Sequence, residues 1–297
     1  MCLALGVFDG VHLGHQAVIG RAAALAREQK LVPAVLTFDP HPDAVLDPTG
    51  GPPLLTTTQE KLDVLRALGV QTVILAPFTA SLSKLSAEEF VGRILVARLR
   101  AHGLVVGEGW RFGAGGRGTI ALLKRLGTRL GFQVVVADPV CVGTQKVSST
   151  RIRQTVSGGR MEEAQGLLGR RYSMQGEVVS GDGLGRRLGF PTANLHADPR
   201  KLVPADGIYA CFAGLRKLRP AVVYIGKRPT LGGSQRHRVE VHFLTSPPRL
   251  PLRGRCLRVE FVRRLRGDRR YDSEGELADG IGRSCAEARR VLESLHN

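Results

Sequence analysis

The first domain takes its fold from a stretch near the start of the chain, Gly6-Val7-Phe8-Asp9-Gly10-Val11-His12-Leu13-Gly14-His15. An apolar run over residues 3–8 leads into it, and a helical pattern begins near His15. This order predicts a strand, a tight glycine turn and a helix. A helix N-terminus attracts anions because it offers unpaired N–H groups and the positive end of a dipole. With two histidines as further donors, the stretch predicts a phosphate site.

The histidine pair also has two simpler interpretations. His12 and His15 could supply half of a metal site, although no Cys, His or Glu nearby completes one. Alternatively, one of them could be a structural histidine whose hydrogen bonds are satisfied within the fold. Their spacing alone leaves the phosphate site and the structural histidine open.

Length and composition indicate a globular protein with two domains. The chain has 297 residues, of which 43% are hydrophobic and 23% charged, as in ordinary soluble proteins. No apolar run is long enough to span a bilayer, and the N-terminus lacks the basic region of a signal peptide. The cysteines show no C-x-x-C spacing, which predicts reduced thiols and a cytoplasmic location. They are Cys2, Cys141, Cys211, Cys256 and Cys285.

The chain is strongly basic, with 43 Lys and Arg against 26 Asp and Glu and a net charge of +17. Such a charge suits nucleic acid, an anionic membrane surface or acidic small substrates. Aromatic residues make up only 5% of the chain, and it has no basic arm. Because base stacking needs aromatic surfaces, we expect anionic small molecules, with no specific nucleic-acid partner and no membrane partner.

Strand and helix patterns alternate from residue 1 to about residue 171. After the first strand, helical patterns cover residues 16–28, 58–68, 86–100 and 120–130, and strand patterns cover residues 31–38, 71–76, 104–107 and 133–137. This alternation predicts an α/β fold, a Rossmann-like domain with a parallel sheet and helices on both faces. Ligands bind such sheets at the carboxyl ends of the strands, which is where His12 and His15 fall.

The second half reads as a small antiparallel β-barrel with a C-terminal helix. Strand patterns cover residues 175–179, 208–213, 221–225, 239–244 and 257–262, and a helical pattern covers residues 274–295. Helix patterns are absent between the junction near residue 171 and that last helix. Short strands separated by Gly and Pro turns are typical of a closed barrel.

A glycine-rich stretch at residues 181–194 lies in this barrel domain. It lacks the terminal G-K-[ST] of a P-loop and follows no strand–helix pattern, so it is not a dinucleotide motif. By itself it could be a flexible turn. Thr192 and Asn194 lie two residues apart and share one face of an extended strand. Their hydroxyl and amide oxygens are hard ligands suited to Mg²⁺ beside phosphates.

Three motifs in register resemble one family. They are G-x-F-D-G-x-H-x-G-H at residues 6–15, S-S-T-R-I-R at residues 148–153, and G-x-x-x-G-R-x-L-G-F-P-T-A-N at residues 181–194. Together they resemble the bacterial bifunctional riboflavin kinase/FMN adenylyltransferases, or FAD synthetases. Taken alone, the second motif could be only a helix cap with a surface arginine. The resemblance runs over essentially the whole chain and implies a nucleotidylyltransferase domain at residues 1–169 and a riboflavin kinase domain at residues 170–297.

The resemblance implies two reactions, the phosphorylation of riboflavin by ATP to FMN and the adenylylation of FMN by ATP to FAD, with release of pyrophosphate. Riboflavin, FMN and ATP are then the partners, Mg²⁺ is the cofactor, and a monomer or weak homo-oligomer is expected. The alternative is a monofunctional riboflavin kinase with a degenerate first domain. Gly109 and Thr119 favour it, because the family usually has an acidic or amide residue and an aspartate there.

The resemblance also implies roles for individual residues. Glu240 is implied as the base for the riboflavin hydroxyl, and His12, His15 and Arg151 as catalytic residues of adenylyl transfer. ATP and phosphates are implied to contact Gly6, Phe8, Asp9, Gly10, Ser149, Thr150, Gly183, Gly185, Arg186 and Pro191. Flavin is implied to contact Phe38, Pro40, His41, Trp110 and Phe112, and the metal Thr192 and Asn194. Two further departures from the family are Arg228, in place of asparagine, and Ser284, in place of aspartate. Family members usually carry a further stretch before the first motif, so either the start of the chain is assigned late or its first domain is trimmed.

Overall fold

The computed structural model of the protein describes residues 1–228, 236–247 and 251–295, without the side chains of residues 227, 228 and 236. The departure noted at Arg228 therefore lies outside the described side chains. The chain divides into two compact units, Met1–Ser149 and Thr150–Asn297. The predicted boundary after residue 169 stays a prediction.

The first unit is built on a parallel sheet of five strands, as the sequence predicted. Its order is β3-β2-β1-β4-β5, and every neighbouring pair is parallel. The strands are β1 (Cys2–Leu5), β2 (Pro33–Asp39), β3 (Val73–Pro77), β4 (Gly103–Gly107) and β5 (Gln133–Ala137). The strand order reverses between β1 and β4. The carboxyl ends of these two strands therefore form the crevice where open α/β sheets bind ligands.

Helices cover both faces of this sheet. They are α1 (Leu13–Glu28), α2 (Pro42–Leu46), α3 (Thr58–Ala67), α4 (Ala80–Ser83), α5 (Ala87–Glu89) with a π-helical continuation at Phe90–Arg98, and α6 (Ile120–Leu130). Leu3 and Leu5 of β1 face one hydrophobic core and Cys2 and Ala4 face the other, because side chains alternate along a strand. A capping box formed by Ser86 and Glu89 begins α5. A small hairpin of β6 (Cys141–Val142) and β7 (Gln145–Lys146) follows β5.

The second unit contains a closed antiparallel barrel of six strands, in the order β10-β11-β12-β9-β8-β13. The strands are β8 (Ser173–Val179), β9 (Ala193–Ala197), β10 (Gly207–Gly214), β11 (Arg219–Arg228), β12 (Arg236–Phe243) and β13 (Cys256–Arg266). Helices α7 (Ser149–Ser157) and α8 (Met161–Leu168) precede the barrel, and α10 (Glu274–Glu293) follows it. Cys285, Ala288 and Leu292 of α10 pack against β10, β11 and β13. The predicted barrel and terminal helix are confirmed.

One local prediction was wrong, because a short helix, α9 (Leu184–Arg187), lies inside the glycine-rich stretch. It begins after Gly183, with φ 73°, and is followed by Gly189, with φ 84°. Glycine adopts positive φ without steric cost, so it can start and stop a single helical turn. A segment of about one turn has no repeat from which a helical period can be read. Among the described residues, no helix has both the length and the hydropathy needed to cross a membrane.

Candidate active sites

The glycine turn after β1 is held in an unusual backbone conformation. Phe8, Gly10 and Val11 have φ values of 53°, 83° and 41°, and a positive φ is costly for a β-branched residue such as Val11. Burial compensates, because Phe8 is only 1% exposed. A Cβ added at Gly6 would lie 3.0 Å from the Phe8 ring. Gly6, Phe8 and Gly10 therefore shape the turn that leads into α1.

Asp9 anchors the same turn to the segment before α3. Its two carboxylate oxygens accept hydrogen bonds from the backbone N–H groups of Leu55, at 3.1 Å, and Thr56, at 2.9 Å. The Thr56 hydroxyl accepts a bond from the Gly10 N–H at 3.0 Å. These bonds fix the turn relative to α3. The sequence gives no sign that Thr56 holds this turn, because one threonine in a run of three does not indicate a contact 46 residues away. An ATP contact of Asp9 stays a prediction.

His12 and His15 lie together at the mouth of α1. His12 is the N-cap residue, and its Nδ1 accepts a hydrogen bond from the His15 N–H at 3.3 Å. The two rings stack with centroids 3.6 Å apart. A Cβ at Gly14 would lie 3.1 Å from Cε1 of His12, so the glycine between the histidines makes room for the ring. Because Nδ1 is an acceptor, the proton of neutral His12 is on Nε2, where it can be donated to a ligand oxygen.

The S-S-T-R-I-R motif contributes to both units. Ser149 belongs to the first unit and donates a hydrogen bond from its hydroxyl to the carbonyl oxygen of Asp9, at 3.0 Å. This bond connects two of the three motifs. Thr150 and Arg151 belong to the second unit, in which Nη2 of Arg151 lies 3.8 Å from Oε1 of Glu163. Their predicted part in adenylyl transfer stays a prediction.

A buried lysine, Lys61 of α3, joins the ends of β1 and β2. It is 6% exposed, and its ammonium donates to the Val7 carbonyl (3.2 Å), the Thr37 hydroxyl (3.1 Å) and the Phe38 carbonyl (3.1 Å). Burial lowers the pKa of Lys61, and the nearby carboxylates of Asp9 and Asp39 act against this shift. The sequence gives no sign that Lys61 is buried, because a lysine in a helical pattern is usually solvated.

Replacing this lysine by methionine, Lys61→Met, is expected to destabilise the first unit. It removes three hydrogen bonds from a charged group in a buried site, each worth about 1.5–3 kcal/mol, while the Val7 carbonyl keeps its hydrogen bond from the Thr37 hydroxyl at 2.8 Å. FAD formation from FMN is expected to fall, with FMN formation from riboflavin retained. Urea unfolding of the variant and both product assays check this. The control is Lys124→Met, because Lys124 is an exposed lysine of α6. Equal stability of the two variants would contradict the role given to Lys61.

The residues predicted to contact flavin in the first unit lie at the end of β2 and in the segments after β2 and β4, the two strands that flank β1. Phe38 packs edge to face on Phe78, with ring centroids 5.5 Å apart. His41 is the N-cap of α2, and its Nδ1 accepts from the Asp43 N–H at 3.2 Å. Pro40 lies between them. Trp110 stacks on Phe112 with centroids 4.6 Å apart, and Phe112 itself is buried in the core. All five lie at the carboxyl edge of the sheet, and their contact with flavin stays a prediction.

In the second unit, the first part of the glycine-rich stretch lies directly against Thr192 and against Asn194 of β9. A Cβ at Gly181 would collide with the Asn194 amide. At Gly185, a Cβ would collide with the Phe190 carbonyl and lie 3.1 Å from the Thr192 hydroxyl. Gly185 therefore permits a close approach to the Phe190 backbone that a side chain would block, whereas at Gly181 the Asn194 side chain would have to move.

We expect Gly185→Ala to impair FMN formation selectively. The added methyl group forces the glycine loop away from Phe190 and Thr192, and a displacement of about 1 Å at a reacting site costs up to about 10²-fold in rate. The kcat/KM for ATP in the riboflavin kinase assay measures the effect. Gly166→Ala is the matched control, since the Gly166 site inside α8 has no heavy atom within 4 Å of the added Cβ. An unchanged kcat/KM in Gly185→Ala would contradict the close approach.

Glu240 of β12 lies next to Asn194 of the neighbouring strand β9. In the strand register Glu240 of β12 is opposite Asn194 of β9 and Tyr224 of β11, so the three side chains share one face. Glu240 and Thr192 line a cavity of about 240 Å³ between barrel strands and α10, which we call the α10 cavity. Thr192 and Asn194 line a second cavity of about 540 Å³, the glycine-loop cavity. Gly183, Arg186 and Pro191 also line the glycine-loop cavity.

The α10 cavity is apolar on one side and hydrogen-bonded on the other. Its apolar wall includes Leu188, Phe190, Ile208, Val222 and Ile281. On the polar side, Arg266 donates to the Tyr271 hydroxyl at 2.7 Å and to the Ser284 hydroxyl at 3.2 Å. Tyr224 donates to Asp268 at 3.3 Å, and burial together with this carboxylate raises the pKa of Tyr224 to about 12. Apart from Ser284, these residues carry no signal in the sequence, because they come from separate strands, from loops and from α10.

Two of the departures from the family pattern keep a structural role. Thr119 is the N-cap of α6 and accepts from the Leu122 N–H at 3.2 Å, as an aspartate there would also do. Ser284 is 3% exposed and accepts a hydrogen bond from Arg266. At Gly109 an added Cβ would meet no heavy atom within 4 Å. Space alone therefore does not explain the glycine at that position.

The first unit has a parallel sheet with stacked histidines at the mouth of its first helix. The second unit has a closed barrel with a glycine loop beside threonine, asparagine and glutamate. Together these features define a two-domain ATP-dependent transferase. Residues 1–151 match the family model described as FAD synthetase, and residues 168–292 match the one described as riboflavin kinase. The chain belongs to the family of bifunctional riboflavin kinase/FMN adenylyltransferases.

Similar proteins match over nearly the full chain. The bifunctional riboflavin kinase/FMN adenylyltransferase of Escherichia coli (strain K12) is 37% identical over 292 residues, covering 98% of this chain and 92% of that protein. The enzyme of the same name from Bacillus subtilis (strain 168) is 32% identical over 296 residues, covering 99% and 93%. A crystal structure of a macrolide-efflux protein from Streptococcus pneumoniae has a TM-score of 0.86 and 30% identity, covering 97% and 93%. The fold is thus shared along the whole length.

Proposed function

We propose that this protein makes FAD from riboflavin in two ATP-dependent steps. The second unit transfers the γ-phosphoryl group of ATP to riboflavin, giving FMN and ADP. The first unit transfers the adenylyl group of a second ATP to FMN, giving FAD and pyrophosphate. The observation that carries the kinase half is that Thr192 lines both adjoining cavities, with Glu240 in the α10 cavity and Asn194, its register partner on β9, in the glycine-loop cavity. The match of both family models supports the bifunctional reading over the monofunctional alternative.

In the kinase step, riboflavin occupies the α10 cavity and ATP the glycine-loop cavity. The apolar wall of the α10 cavity suits a flavin ring, and its hydrogen-bonding groups suit the polar edge of that ring. Glu240 then lies where it can accept the proton of the 5′-hydroxyl as this group attacks phosphorus. The close approach at Gly181 and Gly185 brings backbone N–H groups to the phosphates.

Thr192 and Asn194 fit a magnesium ion. Their hydroxyl and amide oxygens are hard donors beside a carboxylate, and Mg²⁺ keeps its remaining sites for phosphate oxygens and water. Among the described residues, no group of three or more His, Cys, Asp or Glu residues offers another metal site. When bound, the ion supplies positive charge that neutralises the phosphates during transfer.

In the adenylyl step, the phosphate of FMN is itself the nucleophile, so no general base is required. The Nε2–H of His12, the His15 ring and the backbone N–H groups at the start of α1 stabilise the negative charge on the α-phosphoryl group and on the departing pyrophosphate. Ser149 and Asp9 hold the turn in place through their hydrogen bond. Arg151 supplies a further cation to the phosphates.

A product assay tests the whole proposal. The purified protein is incubated with riboflavin, ATP and MgCl₂, and FMN and FAD are resolved by chromatography. We expect FMN to appear first and FAD to follow. FMN that accumulates without FAD, even when FMN is supplied, would establish the monofunctional alternative. Absence of both products would overturn the proposal.

Three further properties are part of the proposal. The protein acts in the cytoplasm on small anionic substrates, as a monomer or weak homo-oligomer. Its basic surface serves no specific nucleic acid. Its two activities divide between domains at residues 1–169 and 170–297. The basis for these statements is the scattered cysteines, the sparse aromatics and the order of the three motifs.

A further inference from the structure

Arg238 occupies an unusual position in the barrel. It lies two residues before Glu240 on β12, so both side chains point to the same side of the strand. Its Nη2 forms an ion pair with Oε1 of Glu240, and its Nη1 lies 3.6 Å from Oδ2 of Asp182 in the glycine-rich stretch. Arg238 also lines both the α10 cavity and the glycine-loop cavity. Its guanidinium therefore stands where the two proposed substrates meet.

A second arginine–glutamate pair in the same barrel provides a comparison. Arg258 and Glu260 of β13 have the same spacing, and Nη2 of Arg258 lies 2.8 Å from Oε1 of Glu260. The two arginine side chains have comparable exposure, 28% for Arg238 and 36% for Arg258. Within the described residues, neither member of this second pair lines either cavity. Both arginines thus pair with a carboxylate. Arg238 differs from Arg258 because it also lines the two cavities.

We propose that Arg238 is a catalytic residue of the kinase reaction and that its guanidinium hydrogen-bonds the phosphoryl group during transfer. This inference rests on the proposed kinase function. In that step a bond forms between the 5′-oxygen of riboflavin and the γ-phosphorus, while the bond from this phosphorus to the bridging oxygen breaks. The hydroxyl proton goes to Glu240, and the electron pair of the broken bond stays on ADP.

The ion pair explains how Arg238 acts more strongly in the transition state than before it. Before transfer, the guanidinium is shared between the carboxylates of Glu240 and Asp182. As Glu240 takes the hydroxyl proton it loses its charge, and its attraction for Arg238 weakens. The transferring group spreads negative charge over its equatorial oxygens at the same moment. A planar guanidinium with five N–H donors can then direct its hydrogen bonds to those oxygens, and such differential binding accelerates the reaction.

Arg238→Gln tests this role, with Arg258→Gln as the matched control. We expect Arg238→Gln to lower kcat for FMN formation by at least about 10²-fold, as for the loss of one preorganised donor. The KM for riboflavin and the Kd for ADP should stay within about threefold, because the lost contact belongs to the transition state. Arg238→Lys keeps the charge and should retain part of kcat. FAD formation from FMN should be unchanged in all three variants, which reports an intact first unit, and the retained Kd for ADP reports an intact barrel.

A double-variant comparison separates contact with phosphate from mere orientation of Glu240. Single-turnover FMN formation is measured for Glu240→Gln with and without Arg238→Gln. A further loss in the double variant supports direct contact with the phosphoryl group. No further loss overturns the inference, because Arg238 then acts only through Glu240, and a normal kcat in Arg238→Gln overturns it as well. Wild-type protein that forms no FMN would overturn the proposed function itself.

Discussion

Replacing Glu240 by glutamine should slow FMN formation by about 10²- to 10⁴-fold, while FAD formation from supplied FMN continues. Glutamine keeps the shape of the side chain, but its amide cannot accept the hydroxyl proton. General base catalysis contributes about 10²- to 10⁴-fold to rates, and a loss of that size is expected in the conversion of riboflavin and ATP to FMN. The adenylyl step does not use Glu240, and its nucleophile is already ionised, so its rate is expected to stay at the wild-type value.

Glu260→Gln is the control for this experiment. Glu260 is also a barrel carboxylate in an ion pair with an arginine two residues before it, and it is absent from the described lining of both cavities. Both activities should persist in this variant. If Glu240→Gln abolished both activities without loss of folded structure, the division of the two reactions between the units would be wrong.

The second large effect is expected for His12→Asn, with the opposite selectivity. Asparagine is among the best N-cap residues, so its side chain can replace the Nδ1 acceptor that caps α1. It cannot replace the Nε2–H donor. Loss of one preorganised donor to a developing phosphate charge costs about 10²- to 10³-fold in kcat. FAD formation from FMN should therefore fall by that factor, with FMN formation from riboflavin unaffected.

His102→Asn is the matched variant, since His102 is an exposed histidine of the same unit that bonds the Arg100 carbonyl at 2.9 Å. It should leave FAD formation unchanged. A His12→Asn protein with full adenylyltransferase activity would show that the histidine has only the structural role of a cap. That outcome would restore the structural interpretation that the sequence alone leaves open.

The sequence predicted the elements of the fold well where a single segment carried the signal. The bounds predicted for α6 and β5 agree with the structure, because α6 has an amphipathic repeat and ends at Gly131 in a left-handed conformation. The sequence placed His12 and His15 three residues apart at the start of a helix, and the structure brings their rings together there. The sequence placed Thr192 and Asn194 on one face of a strand; in the structure only Asn194 lies in β9, and both residues line the glycine-loop cavity.

The sequence could not predict contacts that depend on how distant segments meet. The α10 cavity joins Phe190 after α9 to Tyr224 of β11 and Ile281 of α10, and no local pattern encodes that meeting. Lys61 reads as a surface residue until β1 and β2 are placed beside α3. The position of Arg238 at the two cavities is also not predictable from the sequence, because it depends on the register that sets Glu240 opposite Asn194.

The two units present their β-strands to solvent and to other chains in different ways. The barrel of the second unit closes on itself, so its backbone N–H and C=O groups pair within the ring, and closure removes the edges on which another strand could add. The edge strands of the sheet in the first unit are β3 and β5. Both are short; β3 contains valine, isoleucine and leucine, and β5 contains three valines. When the protein is heated until its helices loosen, residues 73–77 and 133–137 are the segments at which intermolecular strand pairing, and hence aggregation, is expected to begin.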